Sequence, residues 1–558
     1  MIIFLGFILL SPHAFASSEQ IEIKVNSPYQ VVPGTSVPIY ITVINFGEKI
    51  GAIQANQEVS TISAQIQALK STSGANMITV DSVEIFSPHL PDSRITAQSL
   101  SETQAVKMQS VNKTLVSIAE AIQIEEQLEA EYLAKFKQVE QQNLTEEEKR
   151  QTLNSLFSEY ETYKNSLQNI IQKGKFHDVL LLNIPSDFPE SDIQIPVSIT
   201  YTKMDGTKET TVKTIGVTVT STIQPRRAII IDIDALKEDA LENSLSNMPN
   251  TSEYIVENGV HFTNVKTIFP SITMAAQASI FTGNYPNEHG ITGNTWFEKS
   301  SQTYRKYSYG VWYEDIIWHE GQANEDLSGS VDTIYERADS AGKDSTVIFN
   351  QYSRLDSGTT KWIKPGVEEG VYLVTHEYYK IDRNAMSRAL YELNHDLPDI
   401  LTIYLSGLDG HSHYHGPQEQ EYYLETYIDN EINRLLFGDE CLLFCEEYGI
   451  YELAGEGATT LYDETIIVIT SDHGQTSVTN DAAHAIDKDE LEEVLEDAGY
   501  DIWKYPLDDF NATAAPNGGM AQIYIRDTDT DDWNDQPELS DLRSALDSFF
   551  SKSYVDTI

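Results

Sequence analysis

Beyond residue 227, short apolar runs and helical stretches take turns along the chain, and few architectures accommodate that pattern. The runs are Ala228–Ile233, Thr346–Phe349, Ile400–Leu405, Thr465–Ile469 and Ala521–Ile525, and helical stretches such as Arg383–Asn394 and Glu419–Leu436 separate them. Strands and helices that alternate in this way predict an α/β fold, a mainly parallel sheet with helices on both faces. Ligands of such sheets bind beyond the carboxyl ends of the strands. The residues that follow each run are therefore the ones to inspect.

The first 220 residues are patterned differently. Ile21–Val25 alternates, and Val37–Val43 follows a Pro33-Gly34 turn. Strand patterns resume at Val179–Leu182 and Val212–Val219. In between, Val111, Leu115, Ile118 and Ile122 recur at helical spacing, as do Tyr132, Phe136 and Val139. Thr145 and Glu148 form a capping box for a second helix that carries Leu153, Leu156, Tyr160, Tyr163, Leu167 and Ile170 and stops at Gly174. The simplest account is a β-sandwich-like accessory domain over 17–99 and 174–224, interrupted by a long helical hairpin over 100–173, ahead of the α/β domain over 225–558. The accessory domain is expected to be structural. Partner binding or self-association through the sandwich and hairpin is the functional alternative.

Met1–Leu10 is apolar and Ala14-Phe15-Ala16 follows, so residues 1–16 are expected to be a signal peptide, although a basic leading segment is missing. A membrane span needs about 20 apolar residues, and neither this run nor a later one qualifies. The expectation is a secreted or periplasmic protein without a membrane span. Asp and Glu number 86 against 37 Lys and Arg, a net charge of −49 that repels nucleic-acid polymers and anionic membranes. An anionic substrate would need strong local positive charge, which a pair of metal ions could supply. The two cysteines, Cys441 and Cys445, are read as small core residues, with a local disulfide as the alternative.

Four places carry side chains suited to metal chemistry. Asp232 and Asp234 follow the run Ile229–Ile231, and Asp409, His411, His413 and His415 follow Tyr404-Leu405. Asp472-His473-Gly474 follows Ile467–Ile469, and Phe269-Pro270-Ser271-Ile272-Thr273 opens a helical segment that runs to Thr282-Gly283. Singly, such residues are often N-caps or polar surface. Jointly, mixed Asp and His ligands suit zinc-like ions, and two ions ~4 Å apart can clamp the attacking and leaving oxygens of a phosphoryl transfer.

From about residue 226 onward the chain resembles the alkaline phosphatase superfamily and, within it, the type I phosphodiesterase/nucleotide pyrophosphatase family. The resemblance is carried, in order, by Ile231–Leu236, Phe269–Thr273, Thr282–Ile291, the Asp409/His413 motif and Ser471–Gly474. It implies an alkaline phosphatase-like catalytic fold and two divalent metal ions, zinc by preference. One metal would be held by Asp234, Asp472 and His473 and would also bind the nucleophile oxygen of Thr273. The other would be held by Asp409, His413 and a further His. Asn294 stands where the family places a donor to the phosphoryl oxygens. Asp232 rivals Asp234, because the family's Asp precedes Gly and here Ala235 follows, but Lys237-Glu238-Asp239 aligns better with Asp234. The third His ligand is either His484 or a residue beyond Ile558, and the reading favours a truncated chain. His289, His411 and His415 are read either as structural or as supports behind the metal ligands.

Thr273 is the expected nucleophile, since it would open the segment Thr273–Phe281, where backbone N–H groups and the helix dipole favour a phosphate. A plain N-cap role and Ser271 are the alternatives. The implied activity is hydrolysis of small phosphodiester or nucleotide pyrophosphate substrates through a phosphothreonine. Phosphomonoester or phosphonate hydrolysis on the same core is the nearest rival, and a non-catalytic surface binding protein is the rival of another class.

Overall fold

The structure, a computed structural model, describes residues 21–47, 62–72, 77–86, 105–140, 142, 144–307, 322–354, 359–438, 448–451, 459–478, 486–502, 510–527, 530, 532–552 and 554–555. The segment 1–16, Cys441, Cys445 and His484 lie outside these residues.

Five strands form an all-parallel sheet in the order Thr360–Ile363, Ser345–Ile348, Ile400–Leu405, Arg227–Ile233, Thr465–Thr470. Ile229, Ile231, Leu401, Ile403 and Leu405 are all buried, as strands need to be when helices cover the sheet. This is the expected alkaline phosphatase-like α/β arrangement. The edge strand Thr360–Ile363 reads Thr-Lys-Trp-Ile and is too short and polar to stand out in the sequence. Ala521–Ile525 does not join the sheet. It pairs antiparallel with Ala512–Asn517 across a Gly518-Gly519 turn, where Gly518 adopts a φ of +62°. So tight a turn dictates a hairpin and rules out the longer crossover that a parallel neighbour needs. The expected helix over Glu419–Leu436 is likewise segmented. It runs as Gln420–Tyr423, a wide π turn over Leu424–Ile428, then Asp429–Phe437.

Ahead of this sheet, two mainly antiparallel sheets face one another over a single apolar core. One contains Ile21–Asn26, Ser36–Asn45 and Lys175–Asn183, and the other contains Gln30–Val31, Lys208–Val219, Ser191–Lys203, Ile78–Ile85 and Lys107–Leu115. Val111 and Leu115 lie on the strand Lys107–Leu115, and the first hairpin helix starts only at Ala119. The helical reading of these two residues is thus corrected. A spacing of four puts residues on one side of a strand as well as on one side of a helix. The second helix, Glu146–Lys173, has its capping box: Thr145 accepts from the Glu148 N–H, and Glu148 accepts from the Thr145 N–H. Gly174 ends it with φ −91°, not in the left-handed region. What demands glycine there is crowding, because a Cβ would fall 2.0 Å from Ile118 Cγ2.

The β-rich region and hairpin pack directly on the parallel sheet and its helices. Tyr132, Phe157 and Tyr160 of the hairpin share one core with Val367, Tyr372 and Ile381, and Phe157 meets Tyr372 edge-on at 5.6 Å. Arg227, 5% exposed at the side chain, pairs with fully buried Glu464 at 3.2 Å. Glu464 also accepts from the backbone N–H groups of Tyr29 and Gln30, and the Tyr29 ring covers the guanidinium at 4.3 Å.

Candidate active site

Ile400–Leu405, Arg227–Ile233 and the edge strand Thr465–Thr470 are neighbours and all run the same way. Their carboxyl ends therefore deliver Asp409, Asp234 and Asp472-His473 to one place, as the parallel architecture requires. Asp234, Asp409 and His473 present ligand atoms that all lie within 4.8 Å of one another. The Asp234 backbone N–H donates to Leu405 O at 3.0 Å, which stitches two of these strand ends together. Asp232 is fully buried on the strand itself and is not in that group.

Each carboxylate has a distinct set of partners. Asp234 Oδ2 accepts from Tyr404 Oη, while Oδ1 has no hydrogen-bond partner and lies 3.4 Å from His473 Nε2. Asp472 Oδ1 accepts from the N–H groups of Ala235 (3.2 Å) and His473 (2.8 Å), and its Oδ2 is buried without a partner. Asp409 Oδ1 accepts from Gln475 Nε2 and lies 3.4 Å from Nε2 of the exposed His413. Asp409 is thus within reach of both the Asp234/His473 side and His413.

Burial pushes the carboxyls of Asp234 and Asp472 well above the usual carboxylate range, and neighbouring acids push further: Asp472 and Asp409 act on Asp234, and Asp232 acts on Asp472. His413 is raised by its hydrogen bond to Asp409. Buried carboxylate oxygens with no donor, crowded by their own kind, form a site that a cation completes. An Asp/His donor set of this sort fits a zinc-like divalent ion.

Thr273 opens the helix Thr273–Thr282, and its Oγ1 is 3.0 Å from His473 Nε2. The hydroxyl and the acidic group therefore meet at a helix N-terminus. Asn294 Oδ1 accepts from the Met274 N–H at 2.9 Å, which places Asn294 beside that terminus and orients its amide nitrogen away from the helix backbone. Fully buried His289 accepts on Nδ1 from the Ile291 N–H and meets Ser279 Oγ through Nε2, which is a structural part. Tyr404, Gln475 and Gln277, whose carboxamide lies beside Asp232, belong to the site without a motif to mark them in the sequence. Gln475 stands two residues after His473, and that adjacency is the one local signal among them.

Ala235 explains an oddity of the motif. Its φ is +62°, the left-handed region that glycine enters freely and alanine does not. The turn needs this conformation to hand the Ala235 N–H to Asp472. Ala235→Gly is expected to raise the unfolding midpoint, with a gain of up to about 1 kcal/mol. Chemical denaturation of the two proteins checks it.

A family model described as type I phosphodiesterase / nucleotide pyrophosphatase matches residues 228–553. Among curated proteins, the chain is 23% identical over 268 residues to a Xenopus laevis bis(5'-adenosyl)-triphosphatase enpp4, covering 46% of this chain and 48% of that protein. It is 23% identical over 319 residues to the Pongo abelii bis(5'-adenosyl)-triphosphatase ENPP4, covering 54% and 57%. It is also 23% identical over 231 residues to the Mus musculus ectonucleotide pyrophosphatase/phosphodiesterase family member 1, covering 38% and 22%. The chain spans about half the length of the first of these curated relatives.

Proposed function

Since this chain belongs to the type I phosphodiesterase/nucleotide pyrophosphatase family, we propose that it hydrolyses small phosphodiester or nucleotide pyrophosphate substrates through a covalent phosphothreonine at Thr273. The observation that carries this reading is the meeting of the Thr273 hydroxyl, at a helix N-terminus, with an acidic Asp234/Asp409/His473 group.

Asp234, Asp472 and His473 would hold one divalent cation beside Thr273, and Asp409 and His413 would hold part of a second. When bound, such ions lower the pKa of a hydroxyl and offset charge on the attacking and leaving oxygens. Thr273 Oγ1 attacks phosphorus, the bond from phosphorus to the leaving oxygen breaks, and the hydroxyl proton passes to that oxygen by way of solvent. Water then cleaves the phosphothreonine, and Thr273 recovers its proton. Asn294, facing the same terminus, offers its amide nitrogen to the equatorial oxygens, where donors aimed at developing charge act most strongly. The acidic surface of the chain disfavours polymeric nucleic acid, so the substrates are small. No helix among the described residues is long and apolar enough to cross a membrane. Export through the segment 1–16 and association through the β-rich region and hairpin complete the proposal.

The test is metal analysis combined with hydrolysis of p-nitrophenyl phosphate, its diester and a nucleotide p-nitrophenyl ester. The diester and nucleotide ester are expected to turn over faster than the monoester. Prolonged chelation should abolish all three activities, and added zinc should restore them. Faster turnover of the monoester would overturn the diesterase reading, and bound metal with no turnover would favour a binding protein.

A further inference from the structure

A buried side-chain relay joins the turn that carries Asp234 to the helix that carries Asp409. It centres on the single turn Gln420–Tyr423, whose Gln420 and Tyr423 side chains are both buried. Gln420 grips the Asp234 turn by its backbone: its Nε2 donates to Ala235 O at 2.8 Å, and its Oε1 accepts from the Lys237 N–H at 3.2 Å. On the other side, Tyr423 Oη donates to Asp382 Oδ2 at 2.8 Å, and Asp382 Oδ1 accepts from the Gly407 N–H at 2.8 Å. Gly407 begins the helix Gly407–His415 that presents Asp409 and His413.

Glycine is needed at that point. A Cβ on residue 407 would fall 2.1 Å from Tyr423 Oη and 2.5 Å from Asp382 Oδ2. The helix thus starts in direct contact with the relay. Asp382 is fully buried on the helix Tyr378–His395, a costly location for a carboxylate unless donors satisfy it, and the relay supplies one donor to each oxygen. Among the described residues, these three side chains hydrogen-bond Ala235, Lys237, Gly407 and one another, not Thr273, Asp234, Asp409, His413, Asp472 or His473.

We propose that Gln420, Tyr423 and Asp382 are positioning residues that fix the separation between Asp234 and Asp409, and with it the spacing of the two cations in the function proposed above. A cation pair clamps a phosphoryl group only at a fixed spacing. Groups that orient ligands from outside the coordination sphere commonly change metal affinity or activity by 10–100-fold when altered. The relay does this through backbone and helix-start contacts, so it sets where the carboxylates stand without altering their chemistry.

The variants Gln420→Leu and Tyr423→Phe cut one end and the middle link of the relay with little change of volume. Asp382→Asn keeps an acceptor for the Gly407 N–H, and the Tyr423 hydroxyl can turn to accept from the new amide. Asp382→Ala keeps neither. Zinc titration of metal-free protein measures the affinity of the weaker zinc, and steady-state kinetics on a nucleotide p-nitrophenyl ester separates kcat from KM. In Tyr423→Phe and Gln420→Leu, the weaker zinc should bind about tenfold or more less tightly, and kcat should fall by about the same factor at nearly constant KM. Asp382→Asn should recover most of what Asp382→Ala loses. Zinc affinity and kcat at parental values in folded Tyr423→Phe and Gln420→Leu, with only the unfolding midpoint lowered, would overturn the proposal and leave a structural tie. If the parent protein turns over no phosphate ester, the function reading fails, and the zinc titration alone decides the relay.

Discussion

Replacing Thr273 with Ala should abolish turnover, by ~10⁴-fold or more, while leaving metal content near that of the parent protein. The two halves of this outcome separate a nucleophile from a ligand. Thr273 offers one hydroxyl, whereas Asp234, Asp409 and His473 bring charged or strong donor groups to the same place. Losing a hydroxyl from such a set weakens it little, whereas the Thr273 hydroxyl is the one held at the helix N-terminus 3.0 Å from His473 Nε2. Ser271, two residues upstream, precedes the helix that Thr273 opens. Ser271→Ala is accordingly expected to stay within a few-fold of the parent. Rapid-quench trapping of phosphorylated protein gives the direct check: label should appear in the parent and be missing from Thr273→Ala. Undiminished turnover by Thr273→Ala would end the phosphothreonine mechanism.

The largest stability effect should come from a site far from the chemistry. Arg227→Met strips the guanidinium from a pair in which Glu464 is fully buried, and it also removes the donors to Leu397 O and Pro398 O. Breaking a buried pair from one side typically costs ~3–5 kcal/mol, because the remaining charge has no counter-ion. Without Arg227, which holds the Glu464 carboxyl down, burial would push it further up than it already stands, against the backbone donors of Tyr29 and Gln30 that remain. The double variant Arg227→Met/Glu464→Leu should recover part of the loss, since neither charge is then stranded. Denaturant midpoints of the parent, the two single variants and the double variant measure the coupling. Additive effects would show that the pair contributes nothing as a pair.

The sheet and its ligand-bearing ends were legible in the sequence for a local reason. Each of the three ligand-bearing strands is a short run rich in Ile, Val and Leu, and its acidic residue follows within four residues of the strand end, so the element and its function are contiguous in the sequence. What holds those residues in place was not legible, because the partners are remote. Tyr404 reaches Asp234 across 170 residues, and Gln420 reaches Ala235 across 185. A lone Gln or Tyr in a helical stretch carries no mark of such a bond. The misread strand at Val111 and Leu115 shows a different limit, since a spacing of four suits a helix and one side of a strand equally. At Ala235 the sequence shows an alanine where the family has glycine, but only the backbone angle shows that the left-handed turn is kept without it.

The apolar seam between the helical hairpin and the catalytic half has a practical consequence. Tyr132, Phe157 and Tyr160 lie in the same core as Val367, Tyr372 and Ile381. A recombinant fragment starting near Pro225 would turn that seam into a solvent-facing greasy patch, the kind of surface that drives self-association and inclusion bodies. Anyone wishing to study the catalysis in isolation should therefore trim loops and keep the hairpin, treating it as the missing wall of the enzyme's own interior.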